Sequence, residues 1–350
     1  MKAQNSSEQS DRQVRRIQVT GRGSYVVSVP KRWVEQMGLK KGGRLEFDER
    51  GECLLLTPFA QTRPEDEQPR CEILIPPDAT PDALTRRIIS LYLIGYSMIE
   101  VNSKAGNFSA AIRDTIRDVA RSKLIGTELV NESSRNATLQ VLLNFPQLLV
   151  PDVLRRMSSI MESIQHDAMQ ALLRADRELA NQVLKIDDEM DRFSLYIVRQ
   201  LKWGVQHPPL LDRIGLTSPV ECLGYRIITK VVERSADHAA SVAKNSLLIQ
   251  HTLHPTILKN VNTLSQNASK MMEAALQSLF TRDYQLAESV LSDREKISTL
   301  ETKLVEQLLK EKIPASELSA LRLISESLRR IGEYATDIAE VVLNLTVQTQ

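Results

Sequence analysis

Several residue types that characterise whole classes of protein are scarce in this sequence. Aromatic residues make up only 4% of its 350 residues and glycines number 13, while the hydrophobic fraction is 42%, a mixture that favours helices. The 3 cysteines are odd in number and follow no metal-ligand spacing. A disulfide scaffold is therefore not expected, and the cysteines are predicted to be ordinary thiols of a reducing compartment.

Long apolar runs and a strong net charge are also absent. The longest apolar run, Ile88 to Ile94, is too short to span a bilayer. The first residues are polar and lack the apolar core of a secretory signal, so a soluble, cytoplasmic protein without a transmembrane segment is expected. The net charge of +1 indicates no partner for the molecule as a whole.

The charge is nevertheless distributed unevenly. Residues 1–12 are polar and are expected to be a disordered tail. The segment from Arg12 to Arg44 contains nine Lys or Arg and a single acid, Glu35, which is a local excess of +8. A basic head on a nearly neutral protein predicts an anionic partner for that head.

A short strand, a glycine turn and a second strand ending at Pro30 are predicted in this head. A helix over 31–37 and a hairpin around Glu49-Arg-Gly51 follow. The run GRGSYVVSVPKRWVEQMGLKKGGRLEF resembles the AbrB/SpoVT swapped-hairpin DNA-binding domain over about residues 14–58. The resemblance implies that two chains interleave their hairpins into one β-barrel, since one copy is too small to enclose a core. A head domain is therefore expected over 13–58.

The same resemblance implies DNA contacts by basic residues of the first strands and loops. The matching positions here are Arg15, Arg16, Arg22, Lys31 and Arg32. Phosphate neutralisation by Lys and Arg drives such binding, and the basic head favours it. The alternative is a solvated basic rim on a head that serves only for dimerisation.

Two further regions are predicted between the head and the C-terminal half. Residues 59–70 are rich in proline and charge and are expected to be a linker. Residues 71–148 alternate strand and helix patterns in the order βαβαββ, which predicts a small α/β module. No phosphate loop, nucleophile with a base, or metal spacing occurs in it, so a spacer or dimerisation role is expected.

From Pro151 onward the pattern is helical throughout. Six helices are predicted, at about 151–174, 177–204, 218–250, 256–281, 284–312 and 316–347. Two sets of three indicate an internal duplication, with bundles over 151–251 and 254–350. The predicted fold is therefore multidomain and mainly α, with a dimeric swapped-hairpin head, a small α/β module and two tandem three-helix bundles.

Two acidic pairs stand out in the first bundle. Asp187 and Asp191 lie four residues apart on one predicted helix, and Glu233 and Asp237 repeat the spacing on the next. That spacing places each pair on one helix face, where like charges repel unless a cation neutralises them. The first pair falls beside an apolar seam, and the second lies away from an apolar face predicted through Val220, Ile227, Val231 and Val242. A solvated acidic face is the alternative to a cation site at the bundle surface.

The duplicated segments resemble the PhoU family of phosphate-uptake regulators. VLKIDDEMD at 183–191 aligns with VLSDREKIS at 290–298, and ERSADHAASVA at 233–243 with RRIGEYATDIA at 329–339. The resemblance covers about 151–348. It implies two three-helix bundles whose acidic motifs hold surface metal clusters, and a role in phosphate homeostasis through the phosphate ABC transporter. Divalent or iron-type metal ions are therefore expected at Asp187, Asp191, Glu233 and Asp237.

The second repeat departs from this motif at three of the four matching positions. Arg294, Ser298 and Arg329 stand where the first repeat has Asp187, Asp191 and Glu233. Guanidinium groups repel a cation and do not deprotonate, so the second bundle is expected to bind no metal. Arg294 or Arg329 is expected to pair instead with Glu333 or Asp337.

These features favour a DNA-binding, dimeric regulator of phosphate uptake whose bundles sense or relay phosphate status. The alternative is an adaptor that docks on the transporter ATPase and uses its head only to dimerise. A third hypothesis is a di-metal carboxylate enzyme, but the Glu-x-x-His motif of such sites is missing. His238 is expected to be packed and hydrogen-bonded between helices, so no catalytic residue is predicted.

Overall fold

The computed structural model describes residues 14–21, 23–50, 53–59, 69–142, 148–185 and 187–347, without the side chains of residues 48, 50, 187 and 188. The chain divides into a head unit, residues 1–66, and a second unit, residues 67–350. Within the described residues, no helix is both long and apolar enough to cross a membrane.

The head contains two separate hairpins and one short helix. Strands β1 (Gln18–Thr20) and β2 (Ser24–Val26) pair antiparallel, as do β3 (Leu45–Arg50) and β4 (Cys53–Pro58). Helix α1 (Lys31–Gln36) follows Pro30, whose fixed φ suits the entrance to a helix. The described part of the single chain forms two two-stranded sheets and no closed barrel.

The second unit begins with the α/β module. Its strands are β5 (Arg70–Ile75), β6 (Met98–Ser103), β7 (Thr127–Glu132) and β8 (Asn136–Val141), in the sheet order β5-β6-β8-β7. Only β5 and β6 pair in parallel, because α2 (Pro81–Ile94) connects them as a crossover helix. Helix α3 (Ala110–Asp118) continues as a π-helical turn to Lys123. The sheet buries alternate residues against these helices, among them Ile73, Ile99 and Leu139.

The rest of the second unit is helical, in two sets of three. The first set consists of α4 (Val150–Arg174), α5 (Arg177–Val183) with α6 (Asp187–Gln206), and α7 (Pro219–Ser246). A 3₁₀ segment, Pro208–Ile214, connects α6 to α7. The second set consists of α8 (Pro255–Thr281), α9 (Tyr284–Ser292) with α10 (Arg294–Leu308), and α11 (Ala315–Thr346). The fold class predicted from the sequence is confirmed.

The two bundles share one apolar core rather than two. Buried residues of both sets, from Val150 to Val342, form a continuous cluster. Helices α7 and α11 pack closely because Gly224 has no side chain, and a Cβ there would lie 2.9 Å from the Leu345 side chain. The buried Glu221 carboxylate accepts hydrogen bonds from the Thr217 amide and from Arg282 of the second bundle. The bundles are thus joined by packing and by an ion pair.

Three expectations about the helices were wrong. The predicted helices 177–204 and 284–312 are each interrupted, after Val183 and at Asp293. Val220 and Ile227 are exposed, because the seam of α7 instead passes through residues such as Tyr225, Ile228 and Val232.

Candidate functional sites in the head and the bundles

The basic residues of the head lie on its exposed surface. Arg15, Arg16, Lys31 and Arg32 are all exposed, and Lys31 has only a loose ion pair with Glu35, 3.6 Å away. Arg22 lies outside the described residues. An exposed pair of this kind contributes little energy, so Lys31 is able to exchange it for another anion. The described head thus presents at least four cationic side chains to a partner.

The apolar side chains of the head are also uncovered. No described residue of the head belongs to the buried core, and several large hydrophobic residues there are exposed. They include Ile17, Val19, Tyr25, Phe47 and Leu54. A groove of about 600 Å³ lies between the segment that follows β2, helix α1 and strand β4, lined by Val27, Val29, Trp33 and Leu56 among others. Uncovered apolar surface on this scale marks an interaction site.

The four acidic residues of the first bundle have different surroundings. Asp191 and Asp237 are exposed, and the side chain of Asp187 is outside the described set. Glu233 is half-buried, accepts a 2.8 Å hydrogen bond from Ser194 of α6 and forms an ion pair with Lys230 of its own helix. One carboxylate of the predicted set is therefore already neutralised by a lysine.

The described side chains do not form a metal site. Among them, no three His, Cys, Asp or Glu residues are placed so that they could hold an ion. A hard divalent cation requires several oxygen ligands at once, and Glu233 would have to exchange Lys230 for the cation. No step of the proposed function therefore depends on a metal.

The corresponding face of the second bundle carries an arginine–glutamate network. Arg329 pairs with Glu333 one turn later and with Glu326 one turn earlier. Arg330 also donates to Glu333, at 3.0 Å. The expected pairing of Arg329 with Glu333 is confirmed. Hydrogen bonding from Arg329 holds the pKa of Glu326 below its usual value, so the network is charged at neutral pH.

This asymmetry between the bundles gives a prediction about metal content. Any metal bound by the full chain is expected to be lost on Glu233→Gln and kept on Glu333→Gln, because Arg329 and Arg330 occupy the second face with positive charge. Elemental analysis of the purified variants measures this. Metal that survives Glu233→Gln but disappears with Glu333→Gln would refute the asymmetry. No metal in any variant would leave Asp187 and its partners a solvated face.

His238 lies between the third helices of the two bundles, as expected. Its Nδ1 atom is 3.4 Å from the Ser327 hydroxyl, and its ring packs against Tyr334 at 5.6 Å between centroids. Burial, followed by the positive charge of Arg330, lowers the pKa of His238, so the ring is neutral at pH 7. Its contacts are those of a packing residue.

Sequence analysis missed the residue that attaches the α/β module to the first bundle. Arg199 lies on α6 and is only 3% exposed. Its guanidinium donates to the carbonyls of Tyr92, Gly95 and Tyr96 at the end of α2, and it lies 4.8 Å over the Tyr92 ring. Periodicity could not reveal this, because the module covers a side of α6 that would face solvent in an isolated bundle.

A polar groove between the first helices of the two bundles was also missed. Glu162, Gln165 and His166 of α4 face Ser269, Lys270 and Glu273 of α8 across about 580 Å³. Gln165 is 3% exposed and lies among the apolar seam residues of α4. A polar residue on an apolar seam was the available signal.

Comparison with known proteins agrees with this architecture. A family model described as the PhoU domain matches residues 154–246 and 261–342, together half of the chain. The chain belongs to the PhoU family. Residues 18–64 match a second model, described as antidote-toxin recognition MazE, bacterial antitoxin. The head is thus MazE/AbrB-like, and both resemblances found in the sequence are confirmed.

Individual PhoU relatives cover the helical region. The chain is 24% identical over 207 residues to a protein of Clostridium acetobutylicum, covering 56% of this chain and 90% of that one. It is 28% identical over 196 residues to one of Pseudomonas aeruginosa, covering 54% and 78%. Both are named phosphate-specific transport system accessory protein PhoU homologues. The crystal structure of PhoU from Pseudomonas aeruginosa superposes with a TM-score of 0.49 at 25% identity, covering 56% of this chain and 94% of that one.

Proposed function

We propose that this PhoU-family chain is a DNA-binding transcriptional regulator of phosphate uptake. Its head binds DNA as a homodimer, and its bundles sense or relay phosphate status. The observation that carries the proposal is the head: its exposed cationic side chains, among them Arg16 and Lys31, accompany apolar side chains that the single chain leaves uncovered. A second copy covers the apolar surface, and DNA phosphates neutralise the cations.

The role in phosphate regulation comes from the family. The relatives carry names that place them with the phosphate-specific transport system. The residues that match the family form the tandem bundles. In the proposed function the head, which matches a different family, passes the phosphate signal to DNA. Asp191, Leu195 and Arg199 are spaced one turn apart on α6. Leu195 and Arg199 contact the α/β module, which supports a mechanical connection between the first bundle and the module. Helix α6 thus connects the acidic face to the module.

The alternative is an adaptor that docks on the transporter ATPase and dimerises through its head. It shares the dimer but assigns no DNA to the basic residues. The two functions differ in what the exposed arginines and lysines do, so charge removal at the head distinguishes them.

Replacing Arg16 and Lys31 by Ala is expected to weaken binding to every duplex DNA and to flatten its salt dependence. Each lost phosphate contact lowers the log–log slope by roughly one unit. Fluorescence anisotropy of the full chain on labelled duplex, titrated at several salt concentrations, gives both quantities.

Lys40 and Lys41 provide the matched control. Both are exposed and lie in the same basic segment, but outside the residues expected to contact DNA. Their double replacement by Ala removes the same charge and is expected to change the slope less. Equal effects of the two double variants would mean that the head acts only through its net charge. No effect of either would favour the adaptor.

A further inference from the structure

The polar groove between α4 and α8 is positioned symmetrically in the duplicated fold. These helices are the first of their respective bundles, and each contributes side chains to opposite walls. The volume of about 580 Å³ lies within the range of small-molecule sites, roughly 300–1,000 Å³. A ligand held here would contact both bundles at once.

Gln165 is the unusual polar side chain of the groove, because Glu162, His166, Lys270 and Glu273 are exposed to solvent. Glu162, Gln165, His166, Lys270 and Glu273 make no hydrogen bond or ion pair with any other part of the described chain. The Nε2 atom of Gln165 is fully buried and lacks a hydrogen-bond partner, although buried donors are nearly always paired.

The chemistry of the walls is mixed. Gln165, Ser269 and Lys270 offer hydrogen-bond donors, one of them cationic, whereas Glu162 and Glu273 offer acceptors from opposite helices. A metal does not fit, because no three ligating side chains converge among the described residues. A ligand that both accepts and donates hydrogen bonds does fit. Burial and the neighbouring charge of Glu273 raise the pKa of Glu162, so the groove favours a partner that shares a proton with it.

We propose that this groove binds a phosphoryl group that carries a proton, either inorganic phosphate or the monoanion of a phosphomonoester. Its oxygens accept from Gln165, Ser269 and Lys270, and its P–OH donates to Glu162 or Glu273. Sulfate has no proton at neutral pH, so the carboxylates repel it and give selectivity. The choice of ligand rests on the proposed role in phosphate regulation, while the location rests on the buried, unpartnered Gln165 amide in the wall of the groove.

The test is calorimetric titration of the full chain, prepared without phosphate, at constant ionic strength and at pH 6, where about half of the AMP carries a P–OH. Inorganic phosphate, AMP and sulfate are the three ligands. Saturable binding of phosphate or AMP, with sulfate weaker by about tenfold or more, is expected. Binding of inorganic phosphate but not of AMP would identify the free anion as the ligand. Tighter binding of AMP than of phosphate would identify a phosphomonoester.

Two variants assign the binding to this groove. Gln165→Met and Glu162→Gln are each expected to weaken binding about 10- to 100-fold, the effect of losing one hydrogen bond to a charged group. Glu162→Gln is also expected to reduce the preference over sulfate. The Gln165 side chain has no hydrogen-bond partner among the described residues, so a methionine of similar shape is expected to leave the ligand-free melting temperature unchanged or higher. Lys259→Ala and Glu288→Gln, on exposed positions of α8 and α9, are the matched controls.

Several outcomes would overturn this inference. They are absence of saturable binding, equal binding of sulfate, and binding that both groove variants leave unchanged. DNA binding measured on the same preparations separates this inference from the proposed function. If the chain binds DNA but no phosphoryl ligand, the groove inference alone is wrong. If it binds a phosphoryl ligand but no DNA, the proposed DNA-binding function is wrong and the groove inference stands.

Discussion

Leu56→Arg is expected to convert the full-length chain from a dimer to a monomer. Leu56 lines the head groove with Val27, Val29 and Trp33, next to the uncovered apolar side chains of both hairpins. Fully burying a leucine side chain contributes about 1.5–3 kcal/mol, and a symmetric dimer buries it twice. The dissociation constant of the dimer is therefore expected to rise at least about 100-fold. Analytical ultracentrifugation over a range of concentrations measures it.

Leu248→Arg is the matched control for this substitution. Leu248 is an exposed leucine of the helical unit, and an arginine there is expected to leave the dimer intact. DNA binding of Leu56→Arg is expected to fall with dimerisation, since the proposed function assigns DNA binding to the dimer. A wild-type chain that sediments as a monomer with a folded head would contradict this prediction, as would a Leu56→Arg dimer of unchanged affinity.

Arg199→Met is expected to lower the free energy of unfolding of the second unit by about 3 kcal/mol. The substitution leaves the three carbonyls of Tyr92, Gly95 and Tyr96 without their donor inside a buried interface. Unsatisfied buried groups cost about 1–3 kcal/mol each, and solvent entry relieves part of that cost. Hydrogen exchange is expected to increase first in α2 and in the facing part of α6. Denaturant unfolding followed by hydrogen-exchange mass spectrometry tests both effects.

Arg156→Ala provides the contrast. Arg156 pairs with Glu189 at 3.1 Å on the surface, and such a pair contributes about 0–1 kcal/mol. The loss of stability in Arg199→Lys is expected to lie between those of Arg199→Met and Arg156→Ala. One ammonium group cannot reach all three carbonyls as the planar guanidinium does. An Arg199→Met chain as stable as Arg156→Ala would show that the module is only loosely attached to the bundle.

The sequence predicted the element order well because its signals are local. Pro30, Pro219 and Pro255 each stand at a helix start, and the cap of Ser218 on Glu221 is present. The break at Asp293 was missed because the sequence carries no local signal for it. Neither proline nor glycine stands there, and the hydrophobic spacing continues from α9 into α10 although the helix ends at Asp293.

The sites were harder to predict because they depend on packing between elements. Asp191 and Asp237 were identified from spacing, but the hydrogen bond from Ser194 of α6 to Glu233 of α7 required the structure. Arg199 could not be identified from the sequence, because nothing in the pattern of α6 indicates that the module covers this side chain. The groove of Gln165 needs both first helices, which lie about a hundred residues apart in the chain, so no local pattern contains it.

The most direct test of the account measures binding of the full-length chain to DNA upstream of a phosphate-transport operon of its own genome, against an unrelated duplex of equal length. The account predicts saturable binding by a dimer, tighter on the operon DNA, weakened by rising salt and lost in Leu56→Arg. A folded dimer that binds neither duplex would contradict it and would leave the adaptor on the transporter ATPase as the function of this chain.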